Sequence, residues 1–304
     1  MTTVRTALIS TAGHCKVACG FCFRADRAHG FLDIATYTRV LSRLKEADIK
    51  GVCLTGGEPS HHPQLRQLIR LTHQFGLPVS VVTSARTVAE VTVLEPLAPL
   101  LSGVTVSADS RGAMLLGRTQ RSMNSGLATL RALAETSTRI LHVTCWDLTD
   151  AECRDLADQV ATADVEVQFS PVVLDERSLL REGLSRQDAV TRQQYDANIL
   201  ARNFRLSDRY RAYLTELRDL QLDCGQQEPW SCRSSAAYVT AEGDIRRCPY
   251  GVSSVSVHAP RSTIQHFLTT PPRDRVTPDC AAICRPAPAD GSDPNHTAAR
   301  TTPA

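Results

Sequence analysis

Short apolar runs and amphipathic stretches alternate along the first two-thirds of the chain. Residues 4–10, 51–55, 78–83, 103–107, 140–145 and 165–169 each form an apolar run of strand length. Between them lie stretches with helical spacing. In 35–49, Tyr37, Val40, Leu41 and Leu44 recur on one face, and Asp33 is placed to cap the helix. Further helices are predicted over 63–75, 86–99, 117–135 and 148–162. Six strands separated by helices, at intervals of about 25–30 residues, specify a parallel βα-repeat architecture. Right-handed crossovers curl such a sheet into a closed or partial barrel, with function at the C-terminal strand ends.

Beyond about residue 175 the rhythm changes. Residues 186–221 read as a polar, arginine-rich helix with Tyr195, Ile199, Leu200, Phe204, Tyr210, Leu214 and Leu217 as its apolar members. The segment 238–245 reads as a hairpin turning at Glu242-Gly243. From about Arg285 the chain is Pro, Ala, Asp and Thr, and a disordered tail is expected.

Composition narrows the class. Of 304 residues 42% are apolar and 22% charged, and 34 basic against 32 acidic side chains leave a formal charge of +2. That balance argues against nucleic acid as a partner. No run of 18 apolar residues provides a membrane span. The N-terminus has no stretch suited to a signal peptide, so a cytoplasmic location is expected.

The eleven cysteines change the picture most. Cys15, Cys19 and Cys22 crowd the start, and Cys224, Cys232, Cys248, Cys280 and Cys284 the end. Clustering of this kind in a reducing compartment points to metal or redox work, and here to two centres. Cys53 and Cys145 in apolar strands, and Cys153 on a helix, read as small buried hydrophobes. Three thiolates within eight residues leave one iron of a four-iron cluster open to an exogenous ligand, whereas a structural zinc would want a fourth ligand such as His14.

The order of motifs is more specific than the spacing. Cys15-x3-Cys19-x2-Cys22 after the first strand, with Phe21 before the third cysteine, followed by Gly56-Gly57-Glu58-Pro59 after the second strand, resembles the radical S-adenosylmethionine (SAM) superfamily. The resemblance implies an α/β fold, a partial (βα)6 barrel. It implies that Cys15, Cys19 and Cys22 bind a [4Fe-4S] cluster whose open iron chelates SAM. It further implies that Gly56, Gly57 and Glu58 hold the methionine ammonium, a cation well matched to a carboxylate. Phe21 would pack near the adenine, and Ser107 and Asp109 would be ribose or carboxylate contacts. The segment 167–171 resembles the strand beside the adenine. Thr83-Ser84-Ala85 departs from the Thr-Asn-Gly of many relatives and receives no role. His61 and His62 are expected to cap or pack the following helix.

Cys232-x10-Gly243-x4-Cys248 resembles the hairpin of the SPASM/twitch appendage, a small C-terminal α+β domain holding an auxiliary [4Fe-4S] cluster; a zinc ribbon is the bland alternative. The implied domains are 1–185 for the barrel, 186–285 for the helical linker and auxiliary-cluster domain, and 286–304 for the tail. Five late cysteines exceed the four ligands of one cluster. If Cys224, Cys232, Cys280 and Cys284 are the ligands, Cys248 is a spare thiol able to return a hydrogen atom to a substrate radical. If Cys248 is a ligand, Cys224 is the spare.

The resemblance implies that SAM yields a 5′-deoxyadenosyl radical which takes hydrogen from a C–H bond of a small-molecule substrate. The compact chain resembles the dehydrogenases and epimerases of aminoglycoside pathways. Epimerisation of a sugar or aminocyclitol is therefore expected first, dehydrogenation of an aminocyclitol alcohol second. Maturation of a ribosomal peptide is third, since residue 15 leaves no room for an upstream leader-binding domain. A non-catalytic iron–sulfur module has no use for the Gly-Gly-Glu turn. Asp147, Glu166, Asp175 and Glu176 are candidate partners for a cationic substrate near the ends of late strands; Arg118 and Arg121 follow strand four. A flavodoxin or ferredoxin would supply electrons.

Overall fold

The computed structural model describes residues 5–13, 15, 30–172, 174, 176–206, 211, 236–247, 253–270 and 302–303. Six strands, β1 (Thr6–Ser10), β2 (Gly51–Thr55), β3 (Val79–Thr83), β4 (Gly103–Asp109), β5 (Arg139–Cys145) and β6 (Glu166–Pro171), lie side by side in chain order, all parallel. Sequential order with helical crossovers puts the described helices on one face, and no described helix covers the other. On the covered face Ala7, Ile9, Val52, Leu54, Val79, Val81, Val104, Val106, Leu141, Val143 and Val167 pack into one core. That core takes Tyr37, Val40, Leu41 and Leu44 from α1 (Ile34–Glu46) and Leu65, Leu68 and Ile69 from α2 (Leu65–Gln74). Asp33 caps α1 as expected, accepting from the Thr36 amide at 2.9 Å.

Several helices differ from their expected bounds. The stretch 86–99 divides into α3 (Val88–Leu94) and a 3₁₀ turn (Glu95–Leu100), because Pro96 and Pro99 withhold amide donors. The stretch 117–135 becomes α4 (Arg111–Gly117) and α5 (Met123–Ala132), separated where Arg118 turns left-handed at φ 54° and Ser122 starts a new cap. After α6 (Asp150–Ala161) and the short α7 (Glu176–Arg181), α8 (Arg186–Asn203) ends at Asn203, and beyond Leu206 the expected helix lies outside the described residues except for Arg211, which is helical. After Asn203, Phe204 turns into an extended pair, β7 (Phe204–Arg205), with its ring 4.9 Å from that of Phe169. Burial of that aromatic outweighs continuation of a polar helix.

The hairpin forms where expected: β8 (Ala236–Val239) and β9 (Asp244–Arg246) pair antiparallel through a turn at Gly243, whose φ is 88°. It joins the barrel sheet, with β8 parallel to β1 and β10 (Ser254–Ser256) outside β9. The described residues thus give an open nine-stranded sheet, β10-β9-β8-β1-β2-β3-β4-β5-β6. The last helix, α9 (Arg261–Thr269), lies near α1, and its Phe267 and Leu268 carbonyls accept from Arg247. Of the expected disordered tail, Thr302–Pro303 (β11) pairs with β7 and the rest lies outside the described residues.

Candidate active site

The C-terminal ends of β1 and β2 are bound together. Thr11 donates its amide to the Thr55 carbonyl at 2.8 Å, and Gly57 donates to the Ala12 carbonyl at 2.5 Å. Gly56 crosses over the chain leaving β1 with φ 131°. A Cβ there would stand 2.8–2.9 Å from the Ala12 oxygen and nitrogen and the Thr11 nitrogen. Only glycine fits that approach and that backbone.

The loop that begins here is closed by a short stem. Gly13 donates to Gly30 at 2.9 Å, Leu32 donates to Thr11 at 2.9 Å, and Ala12 bridges Phe31. Cys15, partly buried, stands just inside this stem, while Phe21, Cys19 and Cys22 lie outside the described residues. The return limb is held by His62, whose Nε2 is 2.9 Å from the Leu32 carbonyl and whose Nδ1 accepts from Gln64 at 3.0 Å. The Nε2–H tautomer satisfies both bonds. Burial lowers the pKa of His62, favouring that neutral form. His61 faces Glu90 at 2.9 Å. Both histidines therefore pack and cap, as the sequence suggested.

Glu58 is 1% exposed, and its carboxylate does not face solvent. One oxygen accepts from the Ser60 amide (3.1 Å), the Ser60 hydroxyl (2.8 Å) and the Thr83 hydroxyl (2.6 Å). The other accepts from the Ser84 amide (2.7 Å) and the Ser84 hydroxyl (2.8 Å). Thr83 and Ser84, given no role from the sequence, thus belong to this site. The signal available was a pair of hydroxyl residues at a strand end beside the Gly-Gly-Glu turn.

The face that the helices leave open is polar. Across β4, β5 and β6 its register rows are Thr105–Ile140–Glu166, Ser107–His142–Gln168 and Asp109–Thr144–Ser170. Asp109 is fully buried, with Arg121 donating to it through Nε (2.9 Å) and Nη2 (2.6 Å) and Thr119 through its hydroxyl (2.5 Å). Arg121 is thereby a fixed side chain of this face, whereas Arg118 is exposed. His142 lies 2.8 Å from the Ser170 hydroxyl. Its pKa is pushed down to about 4 by burial and then by the Arg121 cation, so the ring is neutral at ordinary pH.

The three described acidic candidates, Asp147, Glu166 and Glu176, do not gather. Glu166 opens β6 rather than ending it, so it sits at the far end of the sheet from the glycine turn. Asp147 does follow β5, but it pairs with Arg192, whose guanidinium also lies 5.7 Å from the Trp146 ring centre. Glu176 opens α7, and Asp175 lies outside the described residues. Also outside them are Cys224, Cys232, Cys248, Cys280 and Cys284, the residues of the expected auxiliary centre. Cys53, Cys145 and Cys153 are buried and free, as expected. No helix among the described residues is long and apolar enough to cross a membrane.

Residues 9–136 match the sequence model of the Radical SAM superfamily. The S-adenosylmethionine-dependent nucleotide dehydratase of a Thermoplasmatales archaeon is 29% identical over 86 residues, which are 28% of this chain and 31% of that protein. The PqqA peptide cyclase of Ruegeria pomeroyi is 32% identical over 82 residues, 26% of this chain and 22% of the relative. The matched segments thus span less than a third of either curated relative. Among solved structures, Streptococcus suis SuiB bound to S-adenosylmethionine superposes with a TM-score of 0.61 at 14% identity, over 93% of this chain and 69% of that one. That likeness is one of fold.

Proposed function

We propose, for a chain whose residues 9–136 are a radical SAM domain, that it abstracts hydrogen from a C–H bond of a hydroxylated, amine-bearing small molecule of the sugar or aminocyclitol kind. The residues present fit the cofactors the family implies. A stem presents Cys15 beside a glycine turn packed too closely for any Cβ, and Cys19 and Cys22 follow at the spacing of a three-thiolate set. When bound, the [4Fe-4S] cluster and SAM supply a 5′-deoxyadenosyl radical. The protein's part is to hold the reacting C–H bond near it and to exclude water.

The observation that carries the substrate class is the part-buried polar sheet face that no described helix covers. Thr105, Ser107, His142, Thr144, Gln168 and Ser170 offer hydroxyl, neutral imidazole and amide groups, suited to a polyhydroxylated ring. Ser107 and the Asp109–Arg121 pair lie at the end nearer the glycine turn, where the SAM ribose and carboxylate are proposed to sit.

Epimerisation is the favoured outcome, with Cys248 returning hydrogen to the opposite face of the substrate radical. This reading rests on the count of five late cysteines against the four ligands of one cluster, and the course of β9 does not add to it. Because β9 runs antiparallel to β8 and so to β1, the chain travels away from the glycine turn towards Arg247, the last described residue before Cys248. Restoring the thiol takes one electron and one proton, for which an auxiliary cluster and a flavodoxin or ferredoxin are proposed. The peptide cyclase relative supports a second reading, maturation of a peptide. Turnover of candidate aminocyclitols in D2O separates the outcomes. Deuterium at an inverted carbon is expected; a ketone without deuterium means dehydrogenation, and modification of a peptide alone overturns the small-molecule reading.

A further inference from the structure

A carboxylate has about four lone-pair positions. That of Glu58 already receives five donor contacts, three on one oxygen and two on the other, and is closed from solvent. An ammonium group cannot reach it without displacing Ser60, Thr83 or Ser84. The Gly57 amide is likewise committed, to Ala12. What the turn can still offer a cation is main-chain carbonyl oxygen, and carbonyl direction depends on how firmly the turn is held.

Glu58 does that holding. It follows Gly57 directly, and Thr83 and Ser84 stand at the end of β3, so the carboxylate ties the end of β2 to the end of β3. Thr83 also receives the Ala85 amide at 3.0 Å, which fixes its hydroxyl towards Glu58. The turn is therefore fastened on both sides: to the root of the cysteine loop through Gly57, and to β3 through Glu58.

We infer that Glu58 is a positioning residue which does not touch SAM, and that Thr83 and Ser84 set SAM affinity by fixing the Gly56-Gly57 carbonyls through it. The inference rests on the reading that SAM binds at this turn. Its test has two arms. The first needs no cofactor: amide hydrogen exchange across residues 55–60 in the cluster-free protein. Glu58→Gln, Ser84→Ala and the pair Thr83→Val with Ser84→Ala should each speed exchange there by about tenfold or more, as expected on loss of bonds to a charged acceptor. The second arm follows the electron paramagnetic resonance change of the reduced cluster as SAM is added, at matched iron content. The same variants should weaken SAM by about tenfold or more. The effect of Glu58→Gln should add little to that of the hydroxyl pair, and Ser84→Thr should restore near-normal binding.

Wild-type exchange in the hydroxyl variants overturns the inference. So does loss of SAM binding in Glu58→Gln together with wild-type binding in the hydroxyl pair, since that pattern means direct contact with the ammonium. A wild-type protein showing no SAM-dependent change sinks the SAM reading instead, and the exchange arm still decides whether the clamp exists.

Discussion

Replacing Gly56 by alanine probes the junction on which the site is built. The perturbation has two parts. At φ 131° an L-residue is strained whatever the space around it, at about 1–3 kcal/mol. The added Cβ also meets three main-chain atoms of Thr11 and Ala12 at 2.8–2.9 Å. These are backbone atoms in a hydrogen-bonded stem, so the turn must move, at about a further 1–3 kcal/mol. Against a typical domain stability of about 5–15 kcal/mol, Gly56→Ala should still fold, with melting lowered by roughly 5–20 °C. Because relief comes by lifting the turn off the cysteine loop, SAM cleavage should fall more than stability does. Gly76→Ala is the control: φ is 72° but nothing lies within 4 Å of the new Cβ, so it should cost about 1–2 kcal/mol and leave SAM cleavage intact. The assays are thermal unfolding and 5′-deoxyadenosine formation. A Gly56→Ala protein that melts within about 2 °C of wild type and cleaves SAM normally refutes the reasoning.

Buried Asp196 and part-buried His142 make opposite pH predictions. Asp196 is 2% exposed, its Oδ1 accepts from Leu148 at 2.7 Å, and its Oδ2 has no partner among the described residues. Burial first, and then Asp147, raise its pKa from 3.8 to about 7. Between those values the folded protein holds more protons than the unfolded chain, so its contribution is present below the lower value and lost as pH rises through about 7. Asp196→Asn should therefore stabilise the protein by about 1–3 kcal/mol at pH 8 and change little at pH 4; urea titrations at both pH values check this, and equal effects contradict it. His142, lowered to about 4 from 6.5, works the other way: its contribution is present above 6.5 and lost as pH falls towards 4. His142→Gln should flatten the fall in stability between pH 6.5 and 4 while leaving melting at pH 7.5 within a few degrees; an unchanged acid limb speaks against a buried neutral ring. Metal analysis gives a fourth test. Anaerobic reconstitution should load about eight irons and eight sulfides per chain, and Cys15→Ala with Cys19→Ala and Cys22→Ala should keep about four; a wild-type content of four removes the auxiliary centre.

The parts of this fold legible in the sequence were those set by local pattern. The six apolar runs became six parallel strands, Asp33 capped α1, and Gly243 turned the hairpin. The glycine pair pointed to the close-packed turn at Gly56, and cysteine spacing to the candidate cluster loop, because close approach and thiolate ligation demand those residue types. What stayed hidden depends on contacts between distant segments. Thr83 and Ser84 gain their role from a carboxylate 25 and 26 residues away. His62 gains its role from a carbonyl 30 residues away. The end of α8 at Asn203 was hidden for the same reason, since it is set by Phe204 packing on Phe169. Glu166 was assigned to the wrong end: the apolar run 165–169 already put it at the start of its strand, and a residue at the start of a parallel strand faces the end of the sheet opposite to the site.

The stem-held cysteine loop and the glycine turn are proposed to bind and split SAM together. Purified, oxygen-free protein reconstituted with iron and sulfide, reduced with dithionite and given SAM, measures this directly. Formation of 5′-deoxyadenosine and methionine in equal amounts, abolished by Cys15→Ala, is the predicted result. Uptake of zinc in place of iron, or SAM recovered intact under strong reductant, contradicts it.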